Sequence, residues 1–138
     1  MPKKSALQMS VAQSTELDRR IPPPADLTEY QAQLWMSITA TKPADWFQAD
    51  CLPLLSAYCK HISTAAVIDQ QIDAVEPEQI TDLKFLRQYQ KLLDMREKQT
   101  RAIASLATKM RLTPQSRYDT QKASAADRGT SRGKLWDQ

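Results

Sequence analysis

The sequence predicts an all-α fold: a short N-terminal helix, then a long antiparallel helical hairpin, with flexible tails at both ends. Three observations carry this. Only two glycines occur in 138 residues. Glycine supplies the positive-φ positions of tight hairpins and phosphate-cradling loops, so a β-sandwich or a dinucleotide-binding α/β domain is disfavoured. Apolar residues recur at three- and four-residue steps through three stretches. Prolines separate those stretches, where helical geometry is least tolerated.

The first 20 or so residues are polar and without period, and are expected to form a flexible basic arm over 1–21. Ile21 is followed by Pro22, Pro23 and Pro24, a stiff extended segment. A first helix is expected over about 27–41, where Leu27, Tyr30, Leu34 and Ile38 share a face beside Trp35. Lys42-Pro43-Ala44-Asp45 breaks it. A second helix is expected over about 49–75, with Asp50 in its first turn to complement the helix dipole and Pro53 close to its start. Glu76-Pro77 ends it. A third helix is expected over about 78–111, its apolar steps resembling a coiled-coil seam diluted in the middle by Arg96 and Thr100. The helical domain thus spans 22–114, and the polar remainder, 115–138, reads as a flexible C-terminal tail.

The formal net charge is +3, but it divides along the chain. Residues 26–82 hold nine acids and two bases, a net of −7, while residues 84–111 hold eight bases and two acids, a net of +6. Such a dipolar chain suits self-association or a polyanionic partner.

No catalytic constellation is recognisable, and a non-catalytic protein without cofactor or metal is expected. His61 is the single histidine, and Cys59-x-His61 lacks further ligands at zinc spacing. Cys51 and Cys59, eight residues apart on one helix, stand roughly 12 Å from each other, too far to bridge. Gly129 to Lys134 superficially resembles a phosphate loop, but it is one residue short between its glycines and has no Ser or Thr after the lysine. A mean hydropathy of −0.56 and the lack of a long apolar run argue against a membrane partner.

The chemistry-bearing pattern is on the third helix. Lys84, Arg87, Lys91, Lys98 and Arg101 fall at steps that keep them on one face, interrupted by Asp94. Cations so arranged neutralise phosphates and release counterions. The same face also suits pairing with the acidic helix of a neighbouring subunit, or plain solvent exposure. Lys109, Arg111 and Arg117 extend the list of candidate DNA contacts. A hairpin this thin makes a poor core alone, so Leu55, Ile62, Ile72, Leu86, Tyr89, Leu93, Ile103 and Leu106 are candidate oligomer contacts.

Pro22-Pro23-Pro24 with Leu27 and Trp35, the run from Asp50 to Cys59, and above all Leu112-Thr113-Pro114-Gln115-Ser116-Arg117 resemble a group of bacteriophage terminase small subunits that close on L-T-P-x-S-R. Arg111 stands where that group has a glycine, and Phe47 where it often has a helix-capping threonine. The resemblance implies the non-catalytic, DNA-recognising subunit of a genome-packaging motor. It implies a homo-oligomeric ring, double-stranded viral DNA and the terminase large subunit, with its ATPase and nuclease, as partners, and the cytoplasm of an infected or lysogenic bacterial host. The residues alone also allow a helix-turn-helix dimeric regulator or a helical adaptor that binds no DNA.

Overall fold

The computed structural model describes residues 20–114, which form three α-helices and one 3-10 turn with no strand among them. The all-α class and the long hairpin are as the sequence predicts. Helix α1 spans Glu29–Ala40. Thr28 caps it reciprocally with Gln31: the Gln31 N–H donates to Thr28 Oγ1 (3.3 Å) and the Thr28 N–H donates to Gln31 Oε1 (3.1 Å). The last carbonyls of α1 are met from upstream. Arg20 Nη1 donates to the Thr39 carbonyl and to the Lys42 carbonyl at 2.7 Å, a cation at the negative end of the helix dipole. Arg20 and Ile21, which the sequence assigns to the arm, therefore belong to the folded unit.

Helix α2 spans Leu52–Asp73. It starts at Leu52 and not near 49, because the Cys51 N–H donates to the Gln48 carbonyl (2.9 Å) and closes a turn first. Asp50 consequently lies in that turn, outside the helix. Pro53 sits at the helix start, where its missing N–H costs nothing. Phe47 caps no helix; it is buried in the core, and the N-cap position belongs to Cys51, without a side-chain cap.

Between the long helices, Pro77–Thr81 forms a 3-10 turn that Glu76 and Gln79 cap reciprocally. Asp82 then adopts an extended backbone and caps α3, accepting from the Lys84 N–H at 3.2 Å. The third helix therefore runs Leu83–Lys109, with the 78–82 stretch given to the turn. Helices α2 and α3, of 22 and 27 residues, lie antiparallel as the hairpin.

The core sits at the open end of that hairpin. Trp35, Phe47, Leu55, Cys59 and Met110 are its buried centre, with Leu27, Leu34, Ile38, Leu106 and Leu112 packed around them. Trp35 is 1% exposed, and its Nε1 donates to the Ile21 carbonyl at 3.0 Å, which ties the proline segment to α1. The exposed Lys60–Asp26 ion pair (2.7 Å) joins the same segment to α2, and Lys60 holds the Asp26 carboxyl below its ordinary range.

Burial pushes the Cys59 thiol up to about 11, so little of it is thiolate near neutrality. With a disulfide-exchange reagent at about pH 8, where a free cysteine is partly ionised, the native chain is expected to release one fast equivalent, from half-buried Cys51. The second appears only on addition of denaturant; two fast equivalents in the native state would contradict the buried position.

Candidate nucleic-acid interface

Helix α3 has two opposed faces, each set by its sequence period. Phe85, Tyr89, Leu92, Gln99, Ile103 and Leu106 turn inward and are half-buried, and Ala107 and Met110 are buried at the base. Lys84, Arg87, Lys91, Lys98, Arg101 and Lys109 are all exposed. They span 25 residue steps, about 37 Å of helix, which is close to one turn of duplex DNA. The expected stripe thus lies on one exposed face, interrupted by exposed Asp94, and Lys109 extends it toward the base.

Among the described residues, Arg101 alone of these six has an ion pair, with Glu97 one turn earlier (2.5 Å). Such exposed helix pairs are weak, so Glu97 is easily exchanged for a stronger anion. The remaining basic residue of the helix, Arg96, is not on this face. Its Nε donates to Asp69 Oδ1 and its Nη1 to Thr100 Oγ1, each at 2.5 Å, fastening α3 to α2. His61 and Gln99 form a second cross-tie, with the amide oxygen accepting from Nδ1 at 2.6 Å. Apolar periodicity alone points to neither tie; the signal for both is a polar residue, Arg96 or Gln99, at an inward position of the helical period.

At the base, Arg111 has φ 57. The Arg111 N–H donates to the Thr108 carbonyl (3.1 Å) and the Leu112 N–H to the Ala107 carbonyl (2.8 Å), the paired bonds of a Schellman cap. A left-handed cap thus forms although arginine replaces glycine. Trp46 Nε1 donates to the Met110 carbonyl at 3.1 Å, and Lys42 lies over the Trp46 ring, 5.1 Å from its centroid. Lys109 and Arg111 line a cleft of about 360 Å³ with Asp45, Trp46, Gln48 and Asp50. The cleft carries both signs of charge.

Compared with protein-family models, with curated proteins and with solved structures, the chain matches none. Among those described, no group of three or more His, Cys, Asp or Glu is placed to hold a metal ion, and no helix is long and apolar enough to cross a membrane.

The structure brings Lys84, Arg87, Lys91, Lys98, Arg101 and Lys109 onto one flank and sets Arg111 just past its end. Arg117 lies outside the described residues. Of the candidate oligomer contacts, Leu55 is 0% exposed beneath α1 and has no surface to offer a neighbour, which corrects the expectation for that residue. Ile62, Ile72, Leu86, Tyr89, Ile103 and Leu106 are half-buried, and Leu93 is exposed.

Because a side chain with a Cβ in the left-handed region costs about 1 kcal/mol, Arg111→Gly is expected to raise stability by about that amount in urea unfolding. A destabilised variant would mean that the arginine side chain makes a compensating contact.

Proposed function

We propose that this chain is the small subunit of a phage terminase: it binds viral double-stranded DNA, assembles on it as a ring, and presents it to the large subunit that carries ATPase and nuclease. Its place of action is then the cytoplasm of the bacterial host. The observation that carries the reading is the exposed cationic flank of α3, six basic side chains of which five have no ion-pair partner among the described residues. The Leu112-Thr113-Pro114-x-Ser116-Arg117 resemblance supplies the rest. Lys84, Arg87, Lys91, Lys98 and Arg101 serve as phosphate contacts, which position a duplex without reading its bases.

The helix-turn-helix alternative draws less support. The start of α2 packs Leu52, Leu54, Leu55 and Cys59 into or against the core, where a recognition helix presents polar side chains to base edges.

The test is fluorescence anisotropy on duplex DNA over a salt series. Each phosphate neutralised contributes roughly −0.9 to the slope of log affinity against log salt. Reversing Lys84, Arg87 and Lys91 together to glutamate is therefore expected to weaken binding and to flatten that slope by about 3. Affinity and slope unchanged by the triple reversal would remove the face from the mechanism.

A further inference from the structure

The cleft at the base of the hairpin meets the cationic flank of α3 at a single residue, Lys109. It encloses about 360 Å³, lined by Asp45, Trp46, Gln48 and Asp50 from the segment between α1 and α2, and by Lys109 and Arg111 from the end of α3. Asp45, Gln48, Asp50, Lys109 and Arg111 are all exposed. Two carboxylates and two cations thus line one space. Among the described residues, none of these four has an ion-pair partner. Opposite charges that share a cleft without pairing suit a ligand that offers an anion to one side and hydrogen-bond donors to the other.

The backbone adds an independent sign. Arg111 is held at φ 57, where a side chain with a Cβ is strained and glycine is not. The Schellman cap has no use for a guanidinium, since its bonds run from the Arg111 and Leu112 N–H groups. Strain kept at one residue points to a task for that residue, and this side chain is delivered to the cleft.

We infer that the cleft binds one nucleotide whose base carries an exocyclic amine. Lys109 and Arg111 take the phosphate, which the planar guanidinium fork matches. Asp45, Gln48 and Asp50 supply the acceptors for the amine. Adenine, cytosine and guanine carry such a donor, whereas thymine presents a carbonyl and a methyl group. The volume is near the lower end of the roughly 300–1,000 Å³ of small-molecule pockets, so a base enters only when out of its pair and stack. The choice of a nucleotide over another zwitterion rests on the phosphate-binding reading of α3; the unpaired charges and the strain at Arg111 do not.

Amide and indole NMR spectra of the full chain, titrated with deoxynucleoside monophosphates, test it. The cytidine and adenosine monophosphates are expected to move the Trp46 Nε1–H and Arg111 N–H signals, binding about tenfold tighter than thymidine monophosphate or inorganic phosphate. Arg111→Gly weakens this binding by roughly tenfold or more without lowering stability in urea, which separates loss of the site from loss of the fold. Asp45→Ala, Gln48→Ala and Asp50→Ala together keep the phosphate response and erase the preference among bases. A duplex with one unpaired terminal dC, set against its blunt counterpart, assigns the nucleotide to a strand if it binds tighter and to the free pool if it does not. Unmoved signals, an equal response to thymidine monophosphate, phosphate or a zwitterionic dipeptide, or full binding by Arg111→Gly overturns the site. Loss of the duplex reading with the monophosphate response intact sinks the DNA proposal alone, and the reverse result sinks the cleft alone.

Discussion

The burial of one indole is the constraint on which the remainder of this fold depends. Helix α1 is 12 residues long, at the lower end of the ~12–15 residues below which isolated helices are marginal in water, so tertiary contacts must hold it. Trp35 provides them. Its ring is enclosed by Leu55, Cys59, Phe47 and Met110, residues from both hairpin helices and the turn between α1 and α2. Its Nε1 holds the incoming proline segment, and its own carbonyl accepts from Thr39 Oγ1 at 3.0 Å. Deleting a ring of this kind costs about 3–5 kcal/mol, a large share of the 5–15 kcal/mol that keeps a typical domain folded. The packing of α1 against the open end of the α2–α3 hairpin is centred on that one side chain.

Fold class was legible in the sequence because hydrophobic period and proline position agree through all three helices. Boundaries were less so, for local reasons. Apolar spacing continues through residues 78–82, yet Pro77 and the Glu76–Gln79 cap favour one tight turn, and the Asp82 carboxylate offers the backbone a better start four residues on. Arg111 shows the reverse case. Glycine is the usual mark of a left-handed cap, so its replacement hides a cap that the backbone bonds of Leu112 and Arg111 nonetheless make.

The candidate site was legible to a similar degree. Lys84, Arg87, Lys91, Lys98 and Arg101 share a flank because the α-helical period dictates it, and no tertiary contact intervenes. Arg96 and Leu55 were harder, since both depend on what a neighbouring helix covers. Arg96 lies half-buried with its guanidinium delivered to Asp69. Helix α2 has apolar residues on more than one flank, and nothing in its own sequence says that α1 takes the flank holding Leu55. The division of charge also acquires a spatial meaning. Among the described residues, Asp69 and Arg96 pair across the hairpin, whereas Lys84, Arg87, Lys91 and Lys98 have no ion-pair partner and lie on one flank of α3, and Asp73, Glu76, Glu78 and Asp82 gather near the turn.

The way α1 ends links two parts of the chain that a sequence comparison would treat as independent. Its terminal carbonyls are met by Arg20, a residue that precedes the helix by a full proline segment. Loss of Arg20, or proteolytic nicking between Arg20 and Ile21, would therefore loosen the opposite end of α1 and the Lys42–Pro43 turn beyond it. A guanidinium group upstream of the helix thus takes part in ending it.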